Sequence, residues 1–290
     1  MSSRFTVSRK TVQRLNRFRF VAKYKLLHEA GTTLGGSPRA FVRFLFGDEL
    51  HTFSYSIRNE AALARTLAPP LGLDPAAVED LFEEGRQAVR AFWEKKPRGG
   101  LAELSGRRLA WYPIIRTLKP MLVVESGVDR GGGSVVILAA LEANRKEGTD
   151  GRLVSIDPER GVGFVVPARA RSKWTLLSCG STEALTHELA AETIDIYFQD
   201  SLRVLGHDEL EAVLPRAARS FVFVTEWDTS EMRAQLSEAG AVTIGFVEDA
   251  DHPVFPGSSV LFNFWNRDAS APEVSANVPA AGRDGEDNAG

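Results

Sequence analysis

The residues that could do chemistry fall in three short groups. The first is an acid-and-glycine run, Glu125-Ser-Gly127-Val-Asp-Arg-Gly131-Gly-Gly-Ser134. Asp157 follows at the end of an apolar run, and Asp200 and Glu226 end two more. Closely spaced glycines let backbone approach a nucleotide-like ligand. Carboxylates accept hydrogen bonds from hydroxyls or take a proton from a reacting group. The spacing then narrows the ligand. A dinucleotide fingerprint, G-x-G-x-x-G, needs glycine at 129 or 136, where the chain has Asp129 and Val136. A P-loop, G-x-x-x-x-G-K-[ST], fits Gly127, Gly132 and Ser134 but puts Gly133 where the lysine must be. Without that ammonium the β- and γ-phosphates lose their counter-charge, which speaks against an NTPase. What remains is acid-x-Gly-x-x-x-Gly: Glu125, Gly127, Gly131. The bland alternative is a left-handed turn with no ligand; so many adjacent glycines, lowering stability for no packing return, favour a ligand.

Alternating strands and helices must position these groups. Met121 to Val124 reads as a strand and Val135 to Leu141 as a buried helix, with the glycine turn between them. Arg152 to Ile156 is a second strand, Lys173 to Ser178 a third, Ile194 to Gln199 a fourth and Phe221 to Thr225 a fifth. Helices are expected over Thr182 to Ala191, with Ser181 as N-cap, and from an Asp228-Thr-Ser-Glu231 capping box to Glu238. The fold class is therefore α/β, a doubly wound Rossmann-like sheet preceded by an N-terminal helical domain. In such sheets ligands bind beyond the carboxyl ends of the strands, which points Asp200 and Glu226 at the site. Asp195, at the other end of strand four, reads as structural.

The acid-x-Gly-x-x-x-Gly run resembles the first motif of class I S-adenosylmethionine (SAM)-dependent methyltransferases. Tyr112 to Pro120 leading into Val-Val-Glu-Ser-Gly-Val, Ser155-Ile-Asp157 and Asp195-Ile-Tyr-Phe-Gln-Asp200-Ser look like the Methyltransferase 24 type. So does Phe53-Ser-Tyr55 with Asn59-Glu60 upstream. The likeness covers residues 50 to 266. It implies SAM as cofactor, with glycines approached by it and acidic groups meeting its ammonium and ribose. Glu125, Gly127, Gly131 and Ser134 then belong to the first motif, Asp157 to the ribose, and Gly180 and Ser181 to the adenine end. One departure concerns the base. Relatives often carry Asp-x-x-His after strand four, and this chain has Asp200-Ser-Leu-Arg203. Arg203 joins Asp200 and Glu226 as a catalytic candidate, and His207 is a substitute or a solvated residue. For a hydroxyl acceptor Asp200 is the first-choice base with Glu226 as partner; alternatively the two hold Mg²⁺. The expected reaction is O-methylation of a small metabolite, such as a sugar or natural-product hydroxyl. The alternative is a non-catalytic SAM-fold protein that engages a partner or anionic surface through its basic N-terminal helix.

Other constellations fail. His187-Glu188 has no second histidine for a metalloprotease motif, and no G-x-S-x-G elbow occurs. A single cysteine, Cys179, excludes a disulfide framework and a Cys-ligated zinc site. His252-Pro-Val-Phe-Pro-Gly257 reads as a substrate-facing loop or a plain turn. No stretch approaches a membrane span or a secretory h-region, which makes the cytoplasm the default location.

Three domains are expected: a helical lead-in over 1–100, a methyltransferase domain over 101–267 and a disordered tail over 268–290. In the lead-in, Leu63 to Leu67 and Pro75 to Phe92 read as two helices broken by Pro69-Pro70. Residues 1–30 hold eight Lys/Arg against Glu29 alone, a net +7, so with −3 overall the remainder carries −10. Val12, Leu15, Phe18, Ala22 and Leu26 lie at helical spacing there. That apolar line favours packing on protein, as in a homodimer, over a membrane or RNA surface. The Asp/Asn-Pro-Pro-aromatic ending of base-modifying enzymes is absent from Gln199-Asp200-Ser201-Leu202, so nucleic acid is not favoured.

Overall fold

The apolar runs that end at Ser126, Ile156, Gln199 and Thr225 are all strands. The computed structural model describes residues 59–92, 108–201, 205–225, 230–247 and 259–266. They begin with helices α1 (Glu60–Leu71), α2 (Pro75–Phe92) and α3 (Arg108–Leu118). Then come β1 (Leu122–Ser126), α4 (Gly132–Lys146), β2 (Arg152–Ile156), β3 (Trp174–Leu177) and β4 (Ile194–Gln199). The chain continues through α5 (Gly206–Val213), β5 (Ala217–Thr225), α6 (Ser230–Glu238), β6 (Val242–Val247) and β7 (Ser259–Asn266). The strand order is β3-β2-β1-β4-β5-β7-β6. The first five strands run parallel, and β7 is antiparallel to both of its neighbours. The order reverses between β1 and β4, which puts a crevice at their carboxyl ends.

Strands buried on both faces account for the long apolar runs. One face of the sheet packs on α1 to α4: Leu63, Phe82 and Trp111 share a core with Val123, Ile196 and Phe262. The other face carries α5 and α6, where Leu210 and Leu236 pack against Tyr197 and Phe223. Helix α4 is buried almost all round over its first ten residues, because the sheet lies beneath it and α2 and α3 lie beside it. It stops where Gly148 turns left-handed and Thr149 donates back to the Asn144 carbonyl. Asn144, fully buried, donates to the Ile115 carbonyl and fixes α3 on α4.

Three details differ from the sequence reading. Pro69 and Pro70 do not break α1; they ride inside its last turn, and Gly72 ends the helix in the left-handed conformation. The helix expected over Thr182 to Ala191 is a single turn, Ser181–Glu183, that widens into a π-turn over Ala184–Glu188. There Thr186 turns its hydroxyl back to the Thr182 carbonyl and competes with the backbone ladder. Helix α3 falls where the sequence reading places no helix; Pro113 lies inside it, a residue that usually ends a helical run, and residues 109–115 are buried all round. The basic stretch of residues 1–30, the His252 loop and the 268–290 tail lie outside the described residues.

Candidate active site

The glycine loop is built from inside. Gly127 has φ 80°, and a Cβ there would come within 2.5 Å of the Asp200 carbonyl oxygen, so the loop and the end of β4 touch through backbone. A Cβ on Gly133 would fall 2.2 Å from Glu125 Oε1 and 2.6 Å from the Trp111 ring. Gly131 faces Gly163 across 2.9 Å in the same sense. These glycines thus have the packing return that the sequence reading denied them. Segment 158–167, after β2, lies across the loop: Gly163 donates to the Asp129 carbonyl at 2.8 Å and Val165 to that of Arg130 at 3.1 Å.

Asp157 holds the loop directly. Its Oδ2 accepts from the backbone N–H groups of Val128, at 2.8 Å, and Asp129, at 3.2 Å, while Oδ1 accepts from Glu159 at 2.9 Å. Asp129 is thereby kept at φ 46°, a conformation rare for a residue with a side chain. Glu125 supports the loop from beneath. It is fully buried, and its Oε2 accepts from Ser134 at 2.5 Å and Ser155 at 2.8 Å. Its Oε1 meets no hydrogen-bond partner. Burial pushes its carboxyl up to about 7 against the pull of the two serines. The family resemblance gave Glu125 and Ser134 a place at the cofactor; here both side chains face inward, toward each other.

Asp200 ends β4 beside the loop, and Arg108, the first residue of α3, donates to its Oδ2 at 2.9 Å. The Asp200 side chain is only 9 % exposed. Trp111, one turn further along α3, stacks on Phe198 with centroids 4.4 Å apart, and the Arg108 guanidinium sits 5.9 Å from its ring. Arg108 and Trp111 escaped the sequence reading. The available signal was a pair of arginines opening an apolar run: a cation at a helix N-terminus opposes the macrodipole, so it needs a local anion.

A second buried acid was also missed. Glu209, in the first turn of α5, accepts from Ser201 at 2.8 Å and from Ser126 at 3.1 Å, and Ser181 turns its hydroxyl to the same group. Burial pushes its carboxyl up to about 7 as well. Thr225 donates to Gln199 at 2.5 Å and Gln199 to Ser201 at 3.1 Å, so the network reaches the end of β5. Gly180 has open space where a Cβ would stand. The Ser181 side chain is buried against Glu209, and the N-cap of the turn is Gly180, one residue before the Ser181 that the sequence suggested.

Other expectations sort simply. Asp195 is structural, its Oδ2 accepting from the backbone of Met121 and Leu122, each at 2.8 Å. His207 is exposed and pairs with Gln235 at 2.7 Å, on the surface of α5 and α6. Burial pushes the Cys179 thiol up, which suits an inert residue. Glu226 and Arg203 lie outside the described residues. Among the described residues no three His, Cys, Asp or Glu side chains converge as a metal cluster.

Residues 124–243 match the profile of the Methyltransferase 24 family, described as a methyltransferase domain. The matched segment runs from β1 to the start of β6 and holds the glycine loop, Asp157 and Asp200. Solved structures similar to the chain include the O-methyltransferase TomG of Streptomyces achromogenes, involved in tomaymycin synthesis and bound to SAM. It is 14% identical, with TM-score 0.46, covering 64% of this chain and 89% of that one. An O-methyltransferase from Bacillus cereus in complex with SAH is 12% identical, with TM-score 0.45 and coverage of 64% and 91%. A methyltransferase from Geobacter sulfurreducens is 21% identical, with TM-score 0.41 and coverage of 68% and 90%. No curated protein sequence matches the chain. Among the described residues no helix is long and apolar enough to cross a membrane.

Proposed function

We propose that the chain binds SAM at the carboxyl ends of β1, β2 and β3 and methylates a hydroxyl oxygen of a small molecule. The observation that carries this reading is the Arg108–Asp200 pair beside the glycine loop. The residues present fit the cofactor. Glu125 serves the cofactor indirectly, by holding the first turn of α4 through Ser134 beneath the loop. The first turn of α4 has no side-chain cap, which leaves backbone N–H groups for a ligand. Asp157 holds that loop open and retains acceptor capacity for ribose hydroxyls.

When bound, SAM supplies a methyl group already activated toward displacement. The protein then has to align the acceptor and exclude water. In our reading Asp200 takes the proton of the acceptor hydroxyl, and Arg108 fixes the carboxylate in the geometry that receives it. Glu226 and Arg203, outside the described residues, stay with Asp200 as candidates for this step on their place in the sequence. A guanidinium already on Asp200 works against Mg²⁺ at the same oxygen, so we favour the base over the metal ligand. We also infer that the amphipathic stretch around Thr11 to Leu27 forms a homodimer contact, which gel filtration of a chain lacking residues 1–30 would test.

Calorimetry with SAM and its demethylated product, followed by a labelled-methyl screen of small-molecule hydroxyl acceptors, tests the reading. Cofactor binding with label transferred to oxygen supports it. Binding with no transfer to any extract favours a non-catalytic role, and no binding overturns the proposal.

A further inference from the structure

The cofactor reading leaves Glu209 unused, although this buried acid gathers three serine hydroxyls on the second face of the sheet. It lies on α5, behind the sheet's carboxyl edge, with none of its surface exposed. Its partners come from three separate segments. Ser126 is the last residue of β1, directly before Gly127; Ser181 opens the turn after β3; Ser201 follows Asp200 after β4. Through Gln199 the chain of hydrogen bonds continues to Thr225 at the end of β5. Each of those segments borders the site proposed above, and each meets one carboxyl group.

We infer that Glu209 is a positioning residue: its two oxygens, receiving serine hydroxyls from the ends of β1, β3 and β4, set the glycine loop, the Gly180-Ser181 turn and Asp200 in mutual register for cofactor binding. The inference rests on the proposed SAM site, but the register itself is a property of the protein alone. Among the described residues Glu209 has no cationic partner, and a buried carboxylate so placed needs its hydroxyl donors. An ionised carboxylate only accepts, so all three serines donate inward; once protonated, it must donate through one oxygen and a serine must turn round. The charged groups on the elements around it do not answer it. Glu183, His187 and Glu188 on the turn after β3 are exposed, as are His207, Asp208 and Glu211 on α5 itself. From β4 it is faced by the Tyr197 phenol, pushed well above its usual value by burial and by the Glu209 charge. Burial leaves the Glu209 carboxyl near neutrality, so the register should follow pH in the physiological range.

The test uses the full chain with Glu209→Gln, which keeps the volume but cannot accept at both atoms. SAM affinity of the wild type should rise between about pH 6 and 8 as Glu209 ionises, and the variant should bind about tenfold more weakly with no such rise. The loss should appear in KM for SAM more than in kcat, and Glu209→Asp should restore the pH dependence in part. Ser201→Ala and Ser181→Ala, milder changes, should each weaken SAM binding and should not add to Glu209→Gln. Hydrogen exchange without cofactor supplies a second readout: in Glu209→Gln, residues 126–131, 178–183 and 199–201 should all exchange faster. If the wild type binds no SAM, the function proposed above fails, and the exchange data alone decide the register. Wild-type SAM affinity and pH profile in Glu209→Gln, or faster exchange confined to α5, would overturn the inference.

Discussion

Glu125 and Glu209 stand on opposite faces of the end of β1. Glu125 projects toward Trp111 and α4, and the next residue, Ser126, projects the other way and donates to Glu209. Both acids are fully buried, both are held by serine hydroxyls, and neither has an ion-pair partner among the described residues. The alternation of a strand makes this possible: successive residues serve the two layers of the fold.

Their titration sets the pH dependence of stability. Burial raises each from 4.5 to about 7. A raised acid binds its proton more tightly when folded, so its contribution is fully present below about pH 4.5 and is lost as pH rises through about 7. Each shift corresponds to about 3 kcal/mol. Glu147, held near 2 by Arg116 and Lys119, acts in the opposite sense but only at lower pH. Denaturant titrations should therefore show stability falling between about pH 5 and 8, and the Glu125→Gln, Glu209→Gln double variant should lack most of that fall. An equal slope in wild type and variant would show that these two acids do not titrate as described.

Gly133 should resist any side chain. It is not a conformational requirement, since it sits within regular helix; the constraint is the 2.2 Å to Glu125 Oε1 and 2.6 Å to the Trp111 ring. Gly133→Ala ordinarily gains helix propensity. Here overpacking should outweigh that gain and destabilise the protein by about 1–3 kcal/mol. Gly148→Ala makes a useful contrast, because its Cβ meets nothing and its cost comes from φ 97° alone. Thermal melts of the two variants separate crowding from backbone strain.

Strands β1, β2, β4 and β5 were legible because each is a short apolar run closed by Gly, Asp or Glu, and β2 and β4 begin and end where the sequence places them. The glycine loop was legible for the same reason, though its glycines answer to Asp200, Gly163 and Trp111 as well as to a ligand. Asp195 was placed correctly by its position at the amino end of β4. Glu209 was not legible: Asp208-Glu209 at a helix start reads as two solvated acids favoured by the dipole, and only the fold brings Ser126, Ser181 and Ser201 to it. Arg108 was missed because its partner lies ninety-two positions away in sequence.

Asp157 should matter before any ligand arrives. It accepts three backbone N–H groups, two of them from the glycine loop. Asp157→Ala leaves those donors without their partner, at a cost of about 1–3 kcal/mol for each one that stays buried. The variant should melt lower without cofactor and bind SAM more weakly by calorimetry. A variant that loses SAM affinity at unchanged melting temperature would assign Asp157 to the ligand alone.

The Arg108–Asp200 pair gives the sharpest test of the chemistry. Asp200→Asn keeps the volume and removes the charge, so turnover should fall by at least about a hundredfold while SAM binding persists. Arg108→Ala should act differently. It leaves the carboxylate in place but removes a charge-assisted hydrogen bond across 2.9 Å to a group only 9 % exposed. Such bonds are worth about 1.5–3 kcal/mol, so kcat should drop about tenfold to a hundredfold. Arg108→Lys should recover part of it, since an ammonium restores the charge without the planar fork. EDTA separates the metal reading. If Asp200 is a base, chelation leaves wild-type turnover unchanged; if it is a metal ligand, turnover disappears and returns with Mg²⁺. Should Asp200→Asn turn over at the wild-type rate, neither role stands, and the proton must leave through a group outside the described residues, with Glu226 the first to replace.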